Sequence, residues 1–433
     1  MQDQLIALLY SFGGAVLLAG LSFSFLRRSD WGLIWLSYFA HIVAARGQIW
    51  ITSNVYGSGD MFLYRAQGVA VANAVRYGSD GMLAEVIRLL FQQDAWIPVH
   101  VTGAGSSTGS MTALAALLFL ICGDSMLAAT TIVAILSFCG KLVMYIALGK
   151  LLHKDLHKRV LIACLLIPSV VFWSSGLLKE SLAMIGMGWM MLGVQMVVSA
   201  KVVRGAIFAF IGAIPIAVMK PYVLFAFAVS AAIWYYWGRI KRGKGGMFSY
   251  PMQIGVGIAV AVGAIIVLGK YFPRFAFDNL GEQLALQQEL GQTTSGGSTY
   301  IARSPSQSGI VAQLVFAPGA LVASLFRPVV LEAKNPQIFI NSMETTVLAA
   351  LLVRVLWKER MVRLWRYVTS SPVLMFFLAF TIVFGVAVGL GTSNLGTLSR
   401  YRVPLVPFYA GLVFVLDYLV MNRRRGDMTI RNS

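Results

Sequence analysis

Long runs of apolar residues alternate with short polar segments along the whole 433-residue chain. A run of about 20 apolar residues has the length of a helix that crosses the hydrocarbon core of a membrane. We therefore expect an all-α polytopic membrane protein that forms a single membrane domain over 1–433. The pattern predicts eleven membrane-spanning helices, at 5–26, 31–52, 125–150, 159–174, 181–199, 205–219, 221–237, 251–269, 340–357, 372–390 and 403–421.

Basic residues cluster in the short segments that join these predicted helices. The clusters lie at 27–28, 150–159, 201–204, 239–244, 358–366 and 423–425. The positive-inside tendency assigns all six clusters to the cytoplasmic side. This assignment requires that the apolar run 110–123 does not cross, and that run is shorter than the roughly 20 residues a crossing needs. The sequence therefore predicts an N-terminus outside and a C-terminus in the cytoplasm.

Two long segments fall on the predicted outer side of the membrane. The first, 53–124, is expected to carry juxtamembrane helices and the catalytic residues. The second, 270–339, has a centre rich in Ser, Thr and Gly. One interpretation of 270–339 is a solvated linker, and the other is a lid that closes over the substrate and contacts it through Tyr300 and Arg303. Both interpretations stay open.

The composition supports a membrane location and argues against other classes of protein. Charged residues make up 12% of the chain, whereas soluble domains carry about 25%. The formal charge of +18 would favour nucleic-acid binding in a soluble protein. Here most cations lie in the clusters that set topology, so we expect no nucleic-acid partner. The three cysteines all lie in apolar runs and suggest neither a disulfide framework nor a zinc site.

An acidic residue stands at the start of a helical pattern in the first outer segment. In "GDMFLYRAQG", Asp60 precedes Tyr64 by four residues, and 60–78 predicts an amphipathic helix with these two side chains close to one face. One interpretation is a carboxylate favoured by the helix dipole. The other interpretation is a general base. The residues alone leave both open.

Further charged side chains lie at predicted outer ends of spans, where topology does not require cations. They are Lys179 and Glu180 in "WSSGLLKES", Lys220 in "MKPY", and Arg400 and Arg402 in "SRYRVP"; the neutral Tyr222, also in "MKPY", is a further candidate substrate ligand. Two carboxylates, Asp60 and Glu180, would supply a general base and a site for a divalent metal such as Mg or Mn. The Lys and Arg side chains would bind a phosphate. Since no P-loop or GxGxxG pattern occurs, a lipid phosphate is favoured over a nucleotide.

Ionisable residues also occur inside predicted spans. His41 lies in the second span and has no neighbouring His or Cys in the sequence, so a metal site there is not expected. Lys141 and Asp417 lie nearer the predicted cytoplasmic half of their spans. For both we expect structural ion pairs rather than catalysis.

These segments resemble a known class of membrane enzyme. "GDMFLYRAQG" resembles the GD…Y…A motif of GT-C-type membrane glycosyltransferases, which include protein mannosyltransferases and lipid A aminoarabinose transferases. The stretch 112–152 looks like the segment that follows this motif, and "PSVVFWSSGLLKESLAM" is similar to the Pro-Ser turn, helix and acidic residue of the class. "RYRVPLVPFYAGL" resembles a late Arg-Tyr-Arg segment of bacterial polysaccharide-assembly members. The resemblance covers roughly the first 200 residues and, more weakly, the last 40.

The resemblance implies an inverting glycosyltransferase on the outer face of a bacterial inner membrane. It assigns Asp60 as the catalytic base and Glu180 as the second acid. It makes Arg400 and Arg402 ligands of the donor phosphate. The donor would be a sugar carried on a polyprenyl mono- or diphosphate, and the acceptor a glycan or lipid-linked molecule of cell-surface polysaccharide assembly. This chain departs from the class in having one acid at the first site and Glu in place of Asp at the second, which leaves metal dependence open.

Two other functions remain open on the sequence. A polysaccharide polymerase or ligase also joins lipid-linked glycans outside the cell, and the late loop 270–339 is typical of such enzymes. A transporter of lipid-linked glycans is the other alternative. Transporters commonly carry internal repeats with broken helices at matching positions, and we find no such symmetry in this sequence.

Overall fold

The computed structural model describes residues 2–241, 315–333, 335–392 and 394–422. Within these ranges the chain is all-helical and contains no β-sheet strand, which confirms the predicted all-α class there. The predicted span 251–269, Tyr300 and Arg303 lie outside the described residues. The helices are α1 (Gln2–Phe25), α2 (Trp31–Ile51), α3 (Asp60–Tyr77), α4 (Met82–Leu90), α5 (Ser107–Cys122), α6 (Met126–Gly149), α7 (His157–Leu165), α8 (Pro168–Trp173), α9 (Lys179–Val198), α10 (Val202–Met219), α11 (Pro221–Lys241), α12 (Ala317–Phe326), α13 (Pro336–Lys358), α14 (Met361–Ser370), α15 (Pro372–Gly391), α16 (Leu395–Tyr401) and α17 (Val406–Met421).

Six of the described helices are long and apolar enough to cross a membrane: α1, α6, α9, α10, α13 and α15. The bent pair α16 and α17, with 75° between its two parts, adds a seventh if it forms one span. At about 1.5 Å per residue, a helix of 20 residues matches the roughly 30 Å of the hydrocarbon core. These are the features of a polytopic helical membrane protein. The larger number of eleven spans stays a prediction.

The chain does not form the single continuous helix that its apolar pattern predicts over 159–174. Instead α7 and α8 are separated at Leu166 and Ile167, and they have 9 and 6 residues. The physical cause is Pro168, which lacks an N–H and disfavours helical geometry in the residue before it. By contrast, 110–122 lies in α5, a helix of 16 residues that ends just before Gly123, and this helix is shorter than the roughly 20 residues that a crossing needs.

The described residues group into two compact units, and each is treated by itself. Unit 1 comprises Met1–Tyr145, Val170–Gly193 and Val203–Lys220. Unit 2 comprises Ile146–Ser169, Val194–Val202 and Pro221–Ser433. The single membrane domain expected from the sequence stays a prediction.

Close helix packing through glycine organises unit 1. A Cβ added to Gly188 of α9 would overlap the carbonyl oxygen of Gly140 in α6. On the other side of α9, a Cβ added to Gly212 of α10 would lie 2.5 Å from the carbonyl oxygen of Gly186. Real Cβ atoms do not approach other atoms this closely, so only glycine permits these contacts. Helix α9 therefore lies between α6 and α10 with its backbone directly against both.

Segment 53–124, predicted to lie on the outer side, is a folded part of unit 1 that contains three helices. Helix α3 packs on α5 at Gly68, where an added Cβ would lie 2.9 Å from the Cβ of Ala115. Farther along α3, Arg76 donates from Nη1 to Asp124 Oδ1 at 2.8 Å and from Nη2 to the carbonyl oxygen of Phe119 at 2.7 Å. These bonds hold the end of α3 to the end of α5. The segment thus contains α3, α4 and α5, and their juxtamembrane position stays a prediction.

An aromatic core holds unit 2 together. The ring of Phe408 in α17 lies 5.2 Å from Phe376 and 4.9 Å from Phe380, both in α15. Phe227 of α11 adds an edge contact to Phe376 at 5.2 Å. Edge-to-face aromatic pairs stabilise a core beyond the area that they bury. Helices α11, α15 and α17 therefore form one packed group.

Two of the basic clusters lie at the same end of unit 2. The guanidinium of Arg159 lies 3.9 Å from the centroid of the Tyr418 ring. The Nζ of Lys358 lies 3.7 Å from the sulfur of Met421. Tyr418 and Met421 belong to the last turn of α17, so the clusters that contain Arg159 and Lys358 meet there. A shared end is what the positive-inside tendency requires of clusters on one side of a membrane.

We predict that Gly188→Ala destabilises the protein because the new methyl group forces α9 away from α6. Overpacking of this kind costs about 1–3 kcal/mol. Thermal unfolding of the detergent-purified protein, followed by size-exclusion chromatography, measures the loss. Gly47→Ala is the matched control, since a Cβ there meets nothing within 4 Å. A Gly188→Ala variant as stable as the control would contradict the close approach of the two helices.

Candidate functional site

Asp60 is the first residue of α3, and its side chain is exposed. The preceding helical turn, Thr52–Tyr56, ends at Gly57, whose φ of 69° is left-handed and favours glycine. The chain can therefore turn sharply between α2 and α3. A carboxylate in the first turn of a helix is stabilised by the helix dipole. The result is a charged, solvent-accessible group on a helix that is packed against α5.

Tyr64 lies one helical turn after Asp60, but it faces the protein interior. Its side chain is 1% exposed and belongs to the apolar core of unit 1, beside Met61. Gln67, at the next turn, donates from Nε2 to Thr102 Oγ1 at 2.7 Å. Asp60 and Tyr64 therefore do not share one exposed face as predicted. Asp60 is exposed and Tyr64 is buried, because the packing of α3 on α5 begins after Asp60. Tyr64 anchors the helix that carries the exposed carboxylate.

Lys179 connects the start of α9 to the start of α5. Its Nζ donates to Ser107 Oγ and to Thr108 Oγ1, both at 3.0 Å. Ser106 caps α5, since its Oγ accepts from the N–H of Thr108 at 3.3 Å. An ammonium group therefore lies at the N-terminus of α5, where the helix dipole is also positive.

Glu180 and Lys220 form a buried ion pair. Lys220 Nζ lies 2.7 Å from Glu180 Oε1, and the side chains are 3% and 0% exposed. Removing two charges from water is expensive, and the close contact between the two groups offsets part of that cost. The predicted second acid and a predicted phosphate ligand thus neutralise each other between α9 and the end of α10.

The divalent metal expected between Asp60 and Glu180 has limited support from the donor groups. Over the described ranges, no group of three His, Cys, Asp or Glu side chains is placed to hold a metal ion. Glu180 is already bonded to an ammonium group, which repels a metal cation. We therefore derive no catalytic step through a metal, and its involvement stays a prediction.

Arg402 lies in the interior of unit 2, 3% exposed. Its Nη1 donates to the carbonyl oxygen of Arg327 at 2.8 Å, and its Nη2 donates to Thr345 Oγ1 at 2.7 Å. Glu344 Oε1 lies 3.9 Å from Nη2. The Glu344 carboxylate also accepts from the N–H and the Oγ of Ser169, at 2.8 and 2.7 Å. A phosphate contact by Arg402 would have to replace these bonds.

Outside the spans, Glu332 holds Arg327 through an ion pair. Burial raises the pKa of the Glu332 carboxyl. Hydrogen bonds from the Arg327 side chain and from the N–H of Val329 outweigh burial and hold the pKa below its ordinary value. Glu332 is therefore ionised at neutral pH and fixes the segment whose carbonyl oxygen accepts from Arg402.

The remaining predicted ligands lie in unit 2 or outside the described residues. Arg400 belongs to α16 and is half-buried. Tyr222, in the first turn of α11, stacks on Phe384 with ring centroids 6.0 Å apart. Arg303 lies outside the described residues. A phosphate site formed by Arg303, Arg400 and Arg402 together stays a prediction.

Sequence reasoning missed Glu344, although a signal was present. Glu344 is the single acidic residue of the predicted span 340–357. An ionisable group at membrane depth is usually paired with a specific partner.

The expectation of a structural ion pair for Asp417 is confirmed by its contact with Arg354.

The buried Lys141 also has partners that its sequence position did not reveal. Its Nζ lies 2.5 Å from Nε2 of His41, and it donates to Ser174 Oγ. His41 Nδ1 lies 2.6 Å from the carbonyl oxygen of Ser37. A carbonyl only accepts, so Nδ1 carries the proton and Nε2 accepts from the lysine. His41 is thus tied into a buried polar network in unit 1.

Comparisons of the chain with family models, with curated proteins and with solved structures give no match. Function is therefore inferred from the residues and their geometry. Of the predicted catalytic and binding groups, Asp60 is exposed, whereas Glu180, Lys220 and Arg402 are buried and bonded within the protein.

We predict that Lys220→Met destabilises the protein by about 3–5 kcal/mol, because it leaves the Glu180 carboxylate as an uncompensated buried charge. Lys220→Met combined with Glu180→Gln should regain most of this loss, since neither charge then remains. Titration of the detergent-purified variants with SDS measures the free energy of unfolding. Equal losses in the single and double variants would show that the ion pair is not the source of the effect.

Proposed function

We propose that this chain is a GT-C-type membrane glycosyltransferase. It transfers a sugar from a polyprenyl-phosphate-linked donor to an acceptor hydroxyl on the outer face of a bacterial inner membrane, in cell-surface polysaccharide assembly. The proposed topology has eleven spans with the N-terminus outside. The observation that carries the proposal is the exposed Asp60 carboxylate at the start of α3, in an outer segment that is bonded to the ends of two membrane-spanning helices.

Those bonds hold the outer segment in a defined position. Lys179 joins the start of α9 to the start of α5. Gln92, just after α4, donates from Nε2 to the carbonyl oxygen of Val218 in α10 at 2.7 Å. Transfer between two bound substrates gains most of its rate from fixed orientation. A carboxylate on a helix that is anchored in this way suits a general base.

Helix α4 supplies a reason for a lipid-linked substrate. One side of α4 is buried, through Met82, Val86 and Leu89. Leu83 and Ile87, on an adjacent side, are exposed although they are apolar. An amphipathic helix with an exposed apolar side, in a segment that joins membrane spans, is typical of the membrane interface. The outer segment would then lie beside lipid chains and meet a lipid-linked sugar there.

In the proposed reaction, Asp60 accepts the proton of the acceptor hydroxyl as that oxygen bonds to the anomeric carbon. The bond between the anomeric carbon and the phosphate oxygen breaks, the phosphate keeps the electron pair, and the configuration inverts. Lys179 is the proposed ligand of the leaving phosphate. Its ammonium lies at the N-terminus of α5, where positive charge stabilises an anion.

We predict that Asp60→Asn lowers the rate of sugar transfer about 10²- to 10⁴-fold, because the amide cannot accept the proton. Transfer of labelled sugar from the lipid-linked donor by purified protein measures the rate, and donor binding should be unchanged. Asp80→Asn is the matched control, since Asp80 is an exposed aspartate of the same outer segment. It should transfer at the wild-type rate.

Three results would decide between the proposals: the rate of transfer by Asp60→Asn, transport by the wild type in vesicles, and the effect of a chelator on transfer. Normal transfer by Asp60→Asn would rule out Asp60 as the base. A wild type that moves the lipid-linked glycan across a vesicle membrane without forming product would favour the transporter. A rate that falls with chelator and returns with Mg or Mn would establish a metal, whereas an unchanged rate would exclude one.

A further inference from the structure

Helix α14 joins two helices that are able to cross a membrane. The preceding α13 has 23 residues and the following α15 has 20. At about 1.5 Å per residue each is as long as the hydrocarbon core is thick, roughly 30 Å. The short link between two such helices must therefore lie at a membrane surface. Helix α14, of 10 residues, occupies most of that link.

One side of α14 packs against unit 2. Leu364, Tyr367 and Val368 are buried, and their spacing of three and four residues places them on one face of a helix. The end of α14 is also fixed, because Trp237 Nε1 donates to the carbonyl oxygen of Thr369 at 2.8 Å. This contact holds the helix in place and determines which of its other sides face outward.

A second side of α14 is apolar and exposed. Met361, Val362 and Trp365 are 67%, 71% and 54% exposed. At about 100° per residue these three side chains project together, beside the buried face rather than opposite to it. Contiguous exposed apolar side chains mark a surface that a lipid or another molecule covers. Tryptophan in particular is enriched at the membrane–water interface.

The third side of α14 is cationic. Arg363 and Arg366 are exposed on it, and Arg360 is exposed just before the helix begins. Arg363 Nη1 lies 3.3 Å from Oε2 of the buried Glu359, which immobilises this arginine. Arg366 lies next to Val362 on the exposed apolar side, and Arg360 directly precedes Met361, the first residue of that side. An apolar surface that borders a cationic one matches a molecule with an apolar tail and a negative headgroup.

We infer that α14 is an interfacial helix that binds anionic phospholipids. Met361, Val362 and Trp365 enter the boundary of the acyl chains, and Arg360 and Arg366 bind headgroup phosphates, for which the arginine fork is well matched. The positive-inside tendency assigns this surface to the cytoplasmic leaflet. The inference goes beyond the proposed glycosyl transfer and does not depend on it.

The first experiment tests what covers the apolar side. A nitroxide is attached at Val362→Cys or at Arg366→Cys, in full-length protein with Cys122, Cys139 and Cys164 changed to Ala. The protein is placed in vesicles of phosphatidylcholine and phosphatidylglycerol. We expect the label at 362 to collide mainly with oxygen, which dissolves in lipid, and the label at 366 mainly with a water-soluble nickel chelate. A label at 362 that meets the chelate, or neither reagent because protein covers it, overturns the inference.

The second experiment tests the headgroup. Binding of phosphatidylglycerol and of phosphatidylcholine is measured by native mass spectrometry on the wild type and on Arg360→Gln with Arg366→Gln. Arg363 is retained so that Glu359 keeps its partner. We expect about tenfold weaker binding of phosphatidylglycerol and unchanged binding of phosphatidylcholine.

The matched control for charge is Lys201→Gln with Arg204→Gln. It removes the same two charges from exposed residues at the start of another membrane-spanning helix, and it should keep most of the binding. If both double variants lost phosphatidylglycerol binding equally, the loss would reflect the net charge of the protein rather than α14, and the assignment would be overturned. Unchanged binding in the Arg360→Gln, Arg366→Gln variant would also overturn it.

Discussion

Unit 1 depends on the close approach of α9 to α6 and α10, which only glycine allows. With Gly188 against the backbone of Gly140, and Gly186 against that of Gly212, α9 is locked between its neighbours. Its first two residues are thereby positioned at one end of the unit. There Lys179 reaches the start of α5 and Glu180 reaches Lys220. The contacts of segment 53–124 with α9 therefore depend on packing deeper in the helix.

Three of the predicted site residues, Glu180, Lys220 and Arg402, are buried and bonded to other groups of the protein. This leaves fewer candidates for the group that reacts with a substrate. Glu180 is bonded to Lys220 in unit 1, and Arg402 is bonded to protein oxygens in unit 2. Each such pair offsets the cost of removing charge from water. Groups engaged in this way stabilise the fold and are poorly available to a substrate. Asp60 is different because it is exposed on an anchored helix, and the chemical hypothesis therefore centres on it.

In the proposed arrangement, α4 and α14 lie along a membrane surface and play a different part from the helices that cross it. Helix α4 and helix α14 each bury one side, expose apolar side chains on a second and carry charge on a third. A helix that crosses the bilayer meets apolar surroundings, either lipid chains or other helices, along most of its length, so it does not need three different sides. Such sides are required where protein, lipid chains and headgroups meet. Each helix would hold its own unit at a fixed depth in the membrane.

The sequence by itself determined the all-helical class, the positions of most long helices and the helix that begins at Asp60, because hydropathy and helix signals are local. The apolar pattern over 159–174 predicted one helix and overlooked a second local signal, Pro168. The helix breaks there because of proline geometry. Tertiary structure alone decided that Tyr64 is buried, that Glu180 meets Lys220, and that Arg402 turns inward. Those outcomes depend on which helices pack together, and residues distant in the chain carry no local sign of their partners.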